Sequence, residues 1–276
     1  MSSPKQLLES LGITPKKSLG QNYLHDPQTL DKIVENAQLP PESTVLEIGA
    51  GLGALSVRLA PITKRLVLVE TDTRVQPVLT EKLSNYSHVE IHWADILETD
   101  IDAIMGKAPY HVVANLPYYI TSAIVRQLLE AQNPPQSMTI TVQKEVAERM
   151  VATPNNMSLL SVSVQFFGEP RIVMRLNPGV FWPAPEVSSA VVYIDLRKRP
   201  LPSVENQEQF FKIVRAGFGQ KRKQLKNALA RGLGLSSDEV EAWLQNAGVQ
   251  PTRRAETLTL SEWAKIYHTA SLFNKS

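Results

Sequence analysis

Short apolar runs alternate with longer amphipathic stretches through residues 43–143. The short runs are rich in Val and Ile and typical of buried strands; they cover residues 44–49, 65–70, 89–93, 110–114 and 138–142. Helical spacing of apolar residues predicts helices at residues 52–60, 73–83, 122–132 and 144–151. This alternation predicts a parallel, doubly wound α/β sheet, in which ligands bind beyond the carboxyl ends of the strands.

The remainder of the chain divides at a polar connector that contains Pro200 and Pro202. Before it, residues 157–167 fit either a helix or a strand, and two extended runs, at residues 171–176 and 190–196, are expected to close the sheet as an antiparallel hairpin. After it, the spacing predicts only helices, at residues 207–218, 223–232, 237–247 and 261–272. We therefore expect a Rossmann-like domain at residues 1–199 and a small all-helical C-terminal domain at residues 200–276.

The composition excludes several classes of function. The 276 residues are 43% hydrophobic and 20% charged, as in ordinary globular proteins, and none is cysteine, which excludes disulfide frameworks, cysteine-ligated zinc and thiol nucleophiles. Asn and Pro interrupt both of the longest uncharged stretches, and no apolar signal peptide opens the sequence. The five histidines show no metal-ligand spacing. These features predict a cytoplasmic protein with no membrane partner and no metal.

The charge is distributed unevenly. Residues 197–231 hold ten basic and only two acidic residues, a net charge of +8, whereas the whole chain carries +2. Such asymmetry indicates a surface that binds a polyanion, although an ordinary solvated basic surface is the alternative. The candidate polyanion-binding residues lie together at the start of a predicted helix: Lys221, Arg222, Lys223 and Lys226.

A glycine loop follows the first predicted strand, in Glu47-Ile-Gly49-Ala-Gly51-Leu-Gly53. Glycines let the backbone turn sharply and approach a ligand at the start of a helix. Glu70 ends the second strand, where a carboxylate can accept hydrogen bonds from both ribose hydroxyls of a nucleotide-like cofactor. Asp95, after the third strand, fits an adenine amine or a simple turn cap. A nicotinamide-dependent dehydrogenase would share these features.

The tetrapeptide Asn115-Leu116-Pro117-Tyr118 ends the fourth strand. Methylating an adenine N6 requires its delocalised lone pair to be redirected, and two acceptors can do this: the Asn115 amide oxygen and the Leu116 carbonyl. Pro117 would stiffen the turn, and Tyr118 would offer a flat face for the base. The alternative, a buried turn with a core tyrosine, is less favoured at a strand end beside a cofactor loop.

The sequence resembles a known family, the bacterial small-subunit ribosomal RNA adenine-N6 dimethyltransferases, which are class I S-adenosylmethionine-dependent enzymes. The resemblance runs nearly end to end. The matching segments are residues 20–24 (GQNYL), 47–53 (EIGAGLG), 115–118 (NLPY), 143–146 (QKEV), 181–187 (FWPAPEV), 218–227 (FGQKRKQLKN) and 253–256 (RRAE).

The resemblance implies S-adenosylmethionine as cofactor and a target base held between Tyr118 and Phe181, although Phe181 also fits an ordinary core position. Together with the glycine loop, it predicts these cofactor contacts: Asn22, Leu24, Gly49, Gly51, Glu70, Asp95 and Asn115. It further implies that residues 16–25 fold over the cofactor as a lid.

The substrate implied by the resemblance is a pair of adjacent adenosines near the 3′ end of 16S ribosomal RNA, both dimethylated, with a role in small-subunit biogenesis. The partner would be the small ribosomal subunit, and the enzyme is expected to act as a monomer. Two alternatives stay open. A large-subunit ribosomal RNA adenine methyltransferase shares the same catalytic core, and a ribosome assembly factor would use binding more than catalysis.

Overall fold

A computed structural model of the chain describes residues 3–16, 19–198, 204–220 and 222–270. The chain forms two compact units, one made of Met1–Ala147 with Pro170–Arg197 and the other of Glu148–Glu169 with Lys198–Ser276. The sequence-based boundary at residue 200 assigned Glu148–Glu169 to the first domain. The structure instead groups this segment with the C-terminal helices, because Val162 and Phe166 belong to their apolar core.

The first unit is built on a seven-stranded sheet of order β4-β3-β2-β5-β6-β9-β7. Its strands are β2 (Ser43–Ile48), β3 (Thr63–Glu70), β4 (Val89–Trp93), β5 (His111–Asn115), β6 (Ser137–Gln143), β7 (Glu169–Leu176) and β9 (Ser189–Asp195). Neighbouring strands from β4 to β6 run parallel, and β9 runs antiparallel to β6. A small second sheet pairs β1 (Tyr23–Leu24) with β8 (Phe181–Trp182). The predicted doubly wound fold is confirmed.

The helices of the first unit are α1 (Pro4–Ser10), α2 (Pro27–Asn36), α3 (Ser56–Leu59), α4 (Gln76–Leu83), α5 (Ile101–Met105), α6 (Thr121–Glu130) and α7 (Lys144–Met150), the last of which runs into the second unit. The sequence predicted a longer helix at residues 52–60. That helix starts late because Gly53 has a φ of +74°, which keeps the backbone in a loop up to Leu55. Helix α1 was not predicted, although Ser3 and Gln6 form a capping box at its start.

The second unit is helical, with α8 (Leu159–Phe167), α9 (Gln207–Phe218), α10 (Leu225–Leu233), α11 (Ser237–Asn246) and α12 (Leu260–Thr269). Its core contains both Trp243 and Trp263, which are fully buried. Helices α9 and α10 meet closely at Gly232, where an added Cβ would lie 2.7 Å from the Cβ of Ala216. Across the described ranges, no helix is both long enough and apolar enough to cross a membrane.

The sheet topology determines where a site can form. Because β2, β3, β4 and β5 are parallel neighbours, their carboxyl ends lie along the same edge of the sheet. That edge carries the glycine loop after Ile48, the carboxylate of Glu70, Asp95 and the amide of Asn115.

Candidate active site

A cleft of about 860 Å³ lies at the carboxyl ends of these strands. Its walls are formed by the glycine loop, by Glu70 to Asp72, by Asp95, by Asn115 to Ile120, and by the N-terminal residues 19–25. The structure therefore brings every predicted cofactor residue to a single cleft, although they are far apart in the sequence.

The backbone of the glycine loop favours glycine at Gly49, Gly51 and Gly53, which have φ values of +73°, +53° and +74°. Close contacts add to this at two of the three positions. An added Cβ would lie 3.1 Å from the Tyr23 ring at Gly51 and 2.9 Å from Leu79 Cδ1 at Gly53. The loop therefore turns sharply and presents backbone to the cleft at these positions.

Glu70 holds this loop from below. One carboxylate oxygen accepts the Gly51 N–H at 2.7 Å and the other accepts the Asp72 N–H at 2.8 Å. Burial raises the pKa of Glu70, while these backbone hydrogen bonds oppose the shift. A carboxylate has about four lone-pair directions, so Glu70 keeps acceptor capacity towards the cleft. The sequence predicted only a ribose contact and missed the anchoring of the loop.

Asp95 forms the predicted turn cap, and its contact with an adenine amine stays a prediction. Its Oδ1 accepts the Leu97 N–H at 2.9 Å and caps the short 3-10 turn Ile96–Glu98, and the residue also lines the cleft.

Asp72 ties the N-terminal segment to the cleft, a function that the sequence did not reveal. Gln21 Nε2 donates to one of its oxygens at 2.7 Å, and the guanidinium of Arg74 donates to both, at 2.7 and 2.6 Å. Gln21 in turn accepts the Lys16 N–H at 2.8 Å. Burial alone would raise the pKa of Asp72, but the hydrogen bonds from Arg74 and Gln21 outweigh burial and lower it. The sequence signal for this role is an acidic residue two positions after Glu70, followed two positions later by the basic residue Arg74.

Asn22 and Leu24 lie where the resemblance implies. Both line the cleft, and the Asn22 carbonyl oxygen accepts a hydrogen bond from Asn115 Nδ2 at 3.1 Å. This bond fixes the Asn115 amide, and its Oδ1 is left buried with no hydrogen-bond partner in the described part of the chain. An unsatisfied buried acceptor costs about 1–3 kcal/mol, so this oxygen is arranged for a donor that comes from outside.

The turn after Asn115 is held from both sides. Leu116 N–H donates to the Thr141 carbonyl at 3.2 Å, and the Pro117 carbonyl accepts the Thr121 hydroxyl at 3.0 Å. The Tyr118 hydroxyl lies 2.6 Å from Ser189 Oγ, and Ser189 is buried on β9. Burial raises the pKa of Tyr118, so the phenol stays protonated. The ring is therefore fixed at the cleft by its far end.

Phe181 differs from its predicted placement. Its side chain is 2% exposed, belongs to the apolar core beside Leu24, and does not line the cleft. Its position on β8, paired with β1, turns the ring inwards. The competing interpretation, a core phenylalanine, describes the position of Phe181 in this structure, and its contact with a target base stays a prediction.

The basic cluster is also rearranged relative to the prediction. Lys221 lies outside the described residues, and α10 begins at Leu225, so Arg222 and Lys223 precede the helix. Both are exposed, and neither makes an ion pair with any described residue. Lys226 instead donates to Glu241 at 2.8 Å. Its charge is already neutralised, which removes the reason to expect a phosphate there.

Glu47 is a buried carboxyl beneath the cleft. Burial raises its pKa to about 8, a shift that the nearby Ser56 hydroxyl reduces and the neighbouring Glu70 increases. Its Oε2 has no hydrogen-bond partner among the residues described. At neutral pH the group is therefore mainly protonated.

The fold is that of class I S-adenosylmethionine-dependent methyltransferases. The crystal structure of the 23S rRNA methyltransferase ErmE matches with a TM-score of 0.73 and 30% identity, covering 91% of this chain and 100% of that one. A dimethyladenosine transferase from Plasmodium falciparum shares the fold, with a TM-score of 0.78 at 24% identity over 90% of this chain and 97% of that one.

Sequence relatives define the family. The family model described as ribosomal RNA adenine dimethylase matches residues 12–271. Proteins named ribosomal RNA small subunit methyltransferase A are 44% identical in Dehalococcoides mccartyi and 41% identical in Anoxybacillus flavithermus, covering 96% and 95% of this chain and 92% of each relative. The chain belongs to the ribosomal RNA adenine dimethylase family. It is an S-adenosylmethionine-dependent enzyme, and the dehydrogenase alternative is wrong.

The buried carboxyl of Glu47 predicts a pH-dependent stability. In the unfolded chain it ionises near 4.5, whereas in the fold its pKa is about 8. Between these values the folded state binds more protons, so the free energy of unfolding should fall as pH rises from 5 to 9. We expect Glu47→Gln to flatten this decline in urea unfolding curves. The exposed Glu35→Gln is the control, and parallel curves for Glu47→Gln and wild type would contradict the assignment.

The hydroxyl pair of Tyr118 and Ser189 can be tested by a double-mutant cycle. Tyr118→Phe and Ser189→Ala each leave a polar partner unsatisfied and should each cost about 1–3 kcal/mol of unfolding free energy. The double variant should cost less than their sum, with a coupling of about 0.5–3 kcal/mol. Ser137→Ala is the control, since buried Ser137 bonds His111 and should be additive with Tyr118→Phe. Additivity in both cycles would show that the pair does not hold the ring.

Proposed function

We propose that this enzyme dimethylates N6 of two adjacent adenosines near the 3′ end of 16S ribosomal RNA, acting as a monomer on the small ribosomal subunit. The proposal includes action in the cytoplasm, where small subunits are its substrate, and a reaction without a metal ion. The observation that carries the proposal is the buried Asn115 Oδ1, which is fixed at the cleft with no hydrogen-bond partner in the described ranges. The names of the small-subunit relatives support the choice of RNA.

The residues of the cleft fit S-adenosylmethionine. A Cβ at Gly51 would contact Tyr23, and because glycine has none, the backbone of the loop can approach a ligand closely. Glu70 has acceptor capacity for the ribose hydroxyls. Asp95 would accept from the adenine amine, and Asn22 and Leu24 would cover the cofactor. When bound, the cofactor supplies an electrophilic methyl group on a sulfonium centre.

The chain's own contribution is to position the target amine. In the first transfer, Asn115 Oδ1 and the Leu116 carbonyl each accept one N6 hydrogen of the adenine, which turns the nitrogen lone pair towards the incoming carbon. In the second transfer, N6-methyladenine has one N–H left, and one of these two acceptors holds it. Tyr118, held by Ser189, stacks on the base. The alkylated nitrogen is acidic and loses its proton to water, so no general base is required. Positioning supplies most of the acceleration.

The two alternatives share much of this site. ErmE, at 30% identity, is a large-subunit enzyme by its name, so the catalytic cleft does not itself choose between subunits. The higher identity of the small-subunit relatives, at 44% and 41%, favours the small subunit. An assembly factor would depend on Arg222 and Lys223 more than on Asn115.

Labelled S-adenosylmethionine distinguishes these functions directly. We expect unmethylated small subunits to be labelled at two adjacent adenosines and large subunits to remain unlabelled. Asn115→Ala should slow transfer by about 10²–10³-fold, because one of the groups that stabilise the transition state is removed. Asn36→Ala, on the outer helix α2, is the control. Label on the large subunit, or full activity in Asn115→Ala, would contradict the proposal.

Salt dependence tests the basic loop that precedes α10. Arg222→Gln with Lys223→Gln should reduce the log–log salt slope of subunit binding by roughly 1.4–1.8 units if each contacts one phosphate, because fewer counterions are released. Lys226→Gln should leave the slope unchanged, since Lys226 is paired with Glu241. The control with the same charge change is Lys64→Gln with Lys107→Gln, at exposed positions of the first unit. Equal slopes for the loop variant and this control would show that Arg222 and Lys223 are ordinary solvated surface residues.

A further inference from the structure

Tyr119 is a large aromatic side chain that the catalytic arrangement leaves unused. It lines the cleft and yet is 60% exposed. Across the described part of the chain, no group hydrogen-bonds its hydroxyl and no ring stacks on it. Single exposed apolar residues are common on protein surfaces, so the exposure of Tyr119 does not by itself indicate a function. The position of its neighbours does indicate one.

Tyr118 and Tyr119 project from one rigid turn. The Ile120 N–H closes this turn on the Pro117 carbonyl at 3.4 Å, and the Thr121 hydroxyl binds the same oxygen. Tyr118 is anchored through Ser189, whereas Tyr119 is exposed at the mouth of the cleft. Both residues line the same cleft, so the two side chains border adjoining parts of it.

Gly20 supports one edge of the Tyr119 ring. Gly20 has a φ of +60°, and an added Cβ would lie 3.2 Å from Tyr119 Cδ1 and 3.5 Å from Cε1. The ring is therefore packed against the N-terminal segment along one edge, and the rest of it is open to solvent. A supported, pre-positioned ring loses little freedom when a ligand stacks on it.

A base beside Tyr118 must belong to a strand that continues out of the cleft. The neighbouring nucleotide of that strand then lies at the mouth, within the region that Tyr119 occupies. Resting on the proposed function, we propose that Tyr119 is the stacking platform for the base next to the target adenosine. Stacking there holds the strand in an unstacked form while its neighbour is methylated.

Substitutions at Tyr119 test this platform. Tyr119→Phe should keep the wild-type KM for the RNA substrate, while Tyr119→Leu and Tyr119→Ala should raise it by about tenfold, within the range expected for one base stacked on an aromatic ring. Calorimetry with S-adenosylhomocysteine should give cofactor affinities within about twofold of wild type. Ile62→Ala, at another exposed apolar side chain outside the cleft, is the control.

A nucleotide without a base gives the sharper measurement. Subunits reconstituted with an abasic residue that flanks the adenosine pair, on each side in turn and with both adenosines intact, should be methylated by wild type more slowly than intact subunits. Tyr119→Ala should methylate intact and abasic subunits at the same rate, because it lacks the ring on which the missing base would stack. Equal slowing of both enzymes would overturn the platform. If the Tyr119 variants lose only cofactor affinity, the proposal is also overturned, and Tyr119 acts by packing against the N-terminal segment. Wild-type labelling of either subunit reports on the proposed function, and the ratio of variant to wild type on that subunit reports on Tyr119.

Discussion

The site depends on one buried carboxylate that joins two strand ends. Glu70 accepts a backbone N–H from the glycine loop after β2 and another from Asp72 after its own strand, so the two neighbouring strands end in a fixed relation. A hydrogen bond to an ionised carboxylate is stronger than one between neutral groups, and here both donors are backbone N–H groups just beyond the two strands. The glycine loop and the residues after β3 keep their positions at the cleft through these two hydrogen bonds.

From Asp72 the constraint passes to the N-terminal segment. Asp72 holds Gln21 and Arg74, and Asn22 holds the amide of Asn115. The Asn115 amide is therefore oriented by a segment more than ninety residues earlier in the chain, which is itself attached through Asp72 to the residues after β3. The residues that we propose for cofactor binding and for orienting the methyl acceptor are thus linked by hydrogen bonds to one N-terminal segment.

Much of this arrangement could be predicted from the sequence. Parallel strands with apolar interiors give a strong local pattern, and their ends must meet at one edge, so Gly49, Glu70, Asp95 and Asn115 were predictable as a group. Contacts between residues that only the tertiary structure brings together could not be predicted. Neither the burial of Phe181 nor the pairing of Lys226 with Glu241 has a local signature, because each depends on a strand or helix distant in sequence. The sequence-based boundary placed Glu148–Glu169 in the first domain for the same reason, because no residue pattern within this segment indicates which apolar core it joins.

That segment also has a consequence for synthesis on the ribosome. Val162 and Phe166 on α8 pack with Phe210 and Val214 on α9, and the strands β7 and β9 come between them in the chain. At translation rates of about 5–20 residues per second, the apolar face of α8 emerges some seconds before its partners exist. The nascent chain must carry this uncovered face while the sheet is completed, which makes the interval before α9 appears the point at which a chaperone would be most useful.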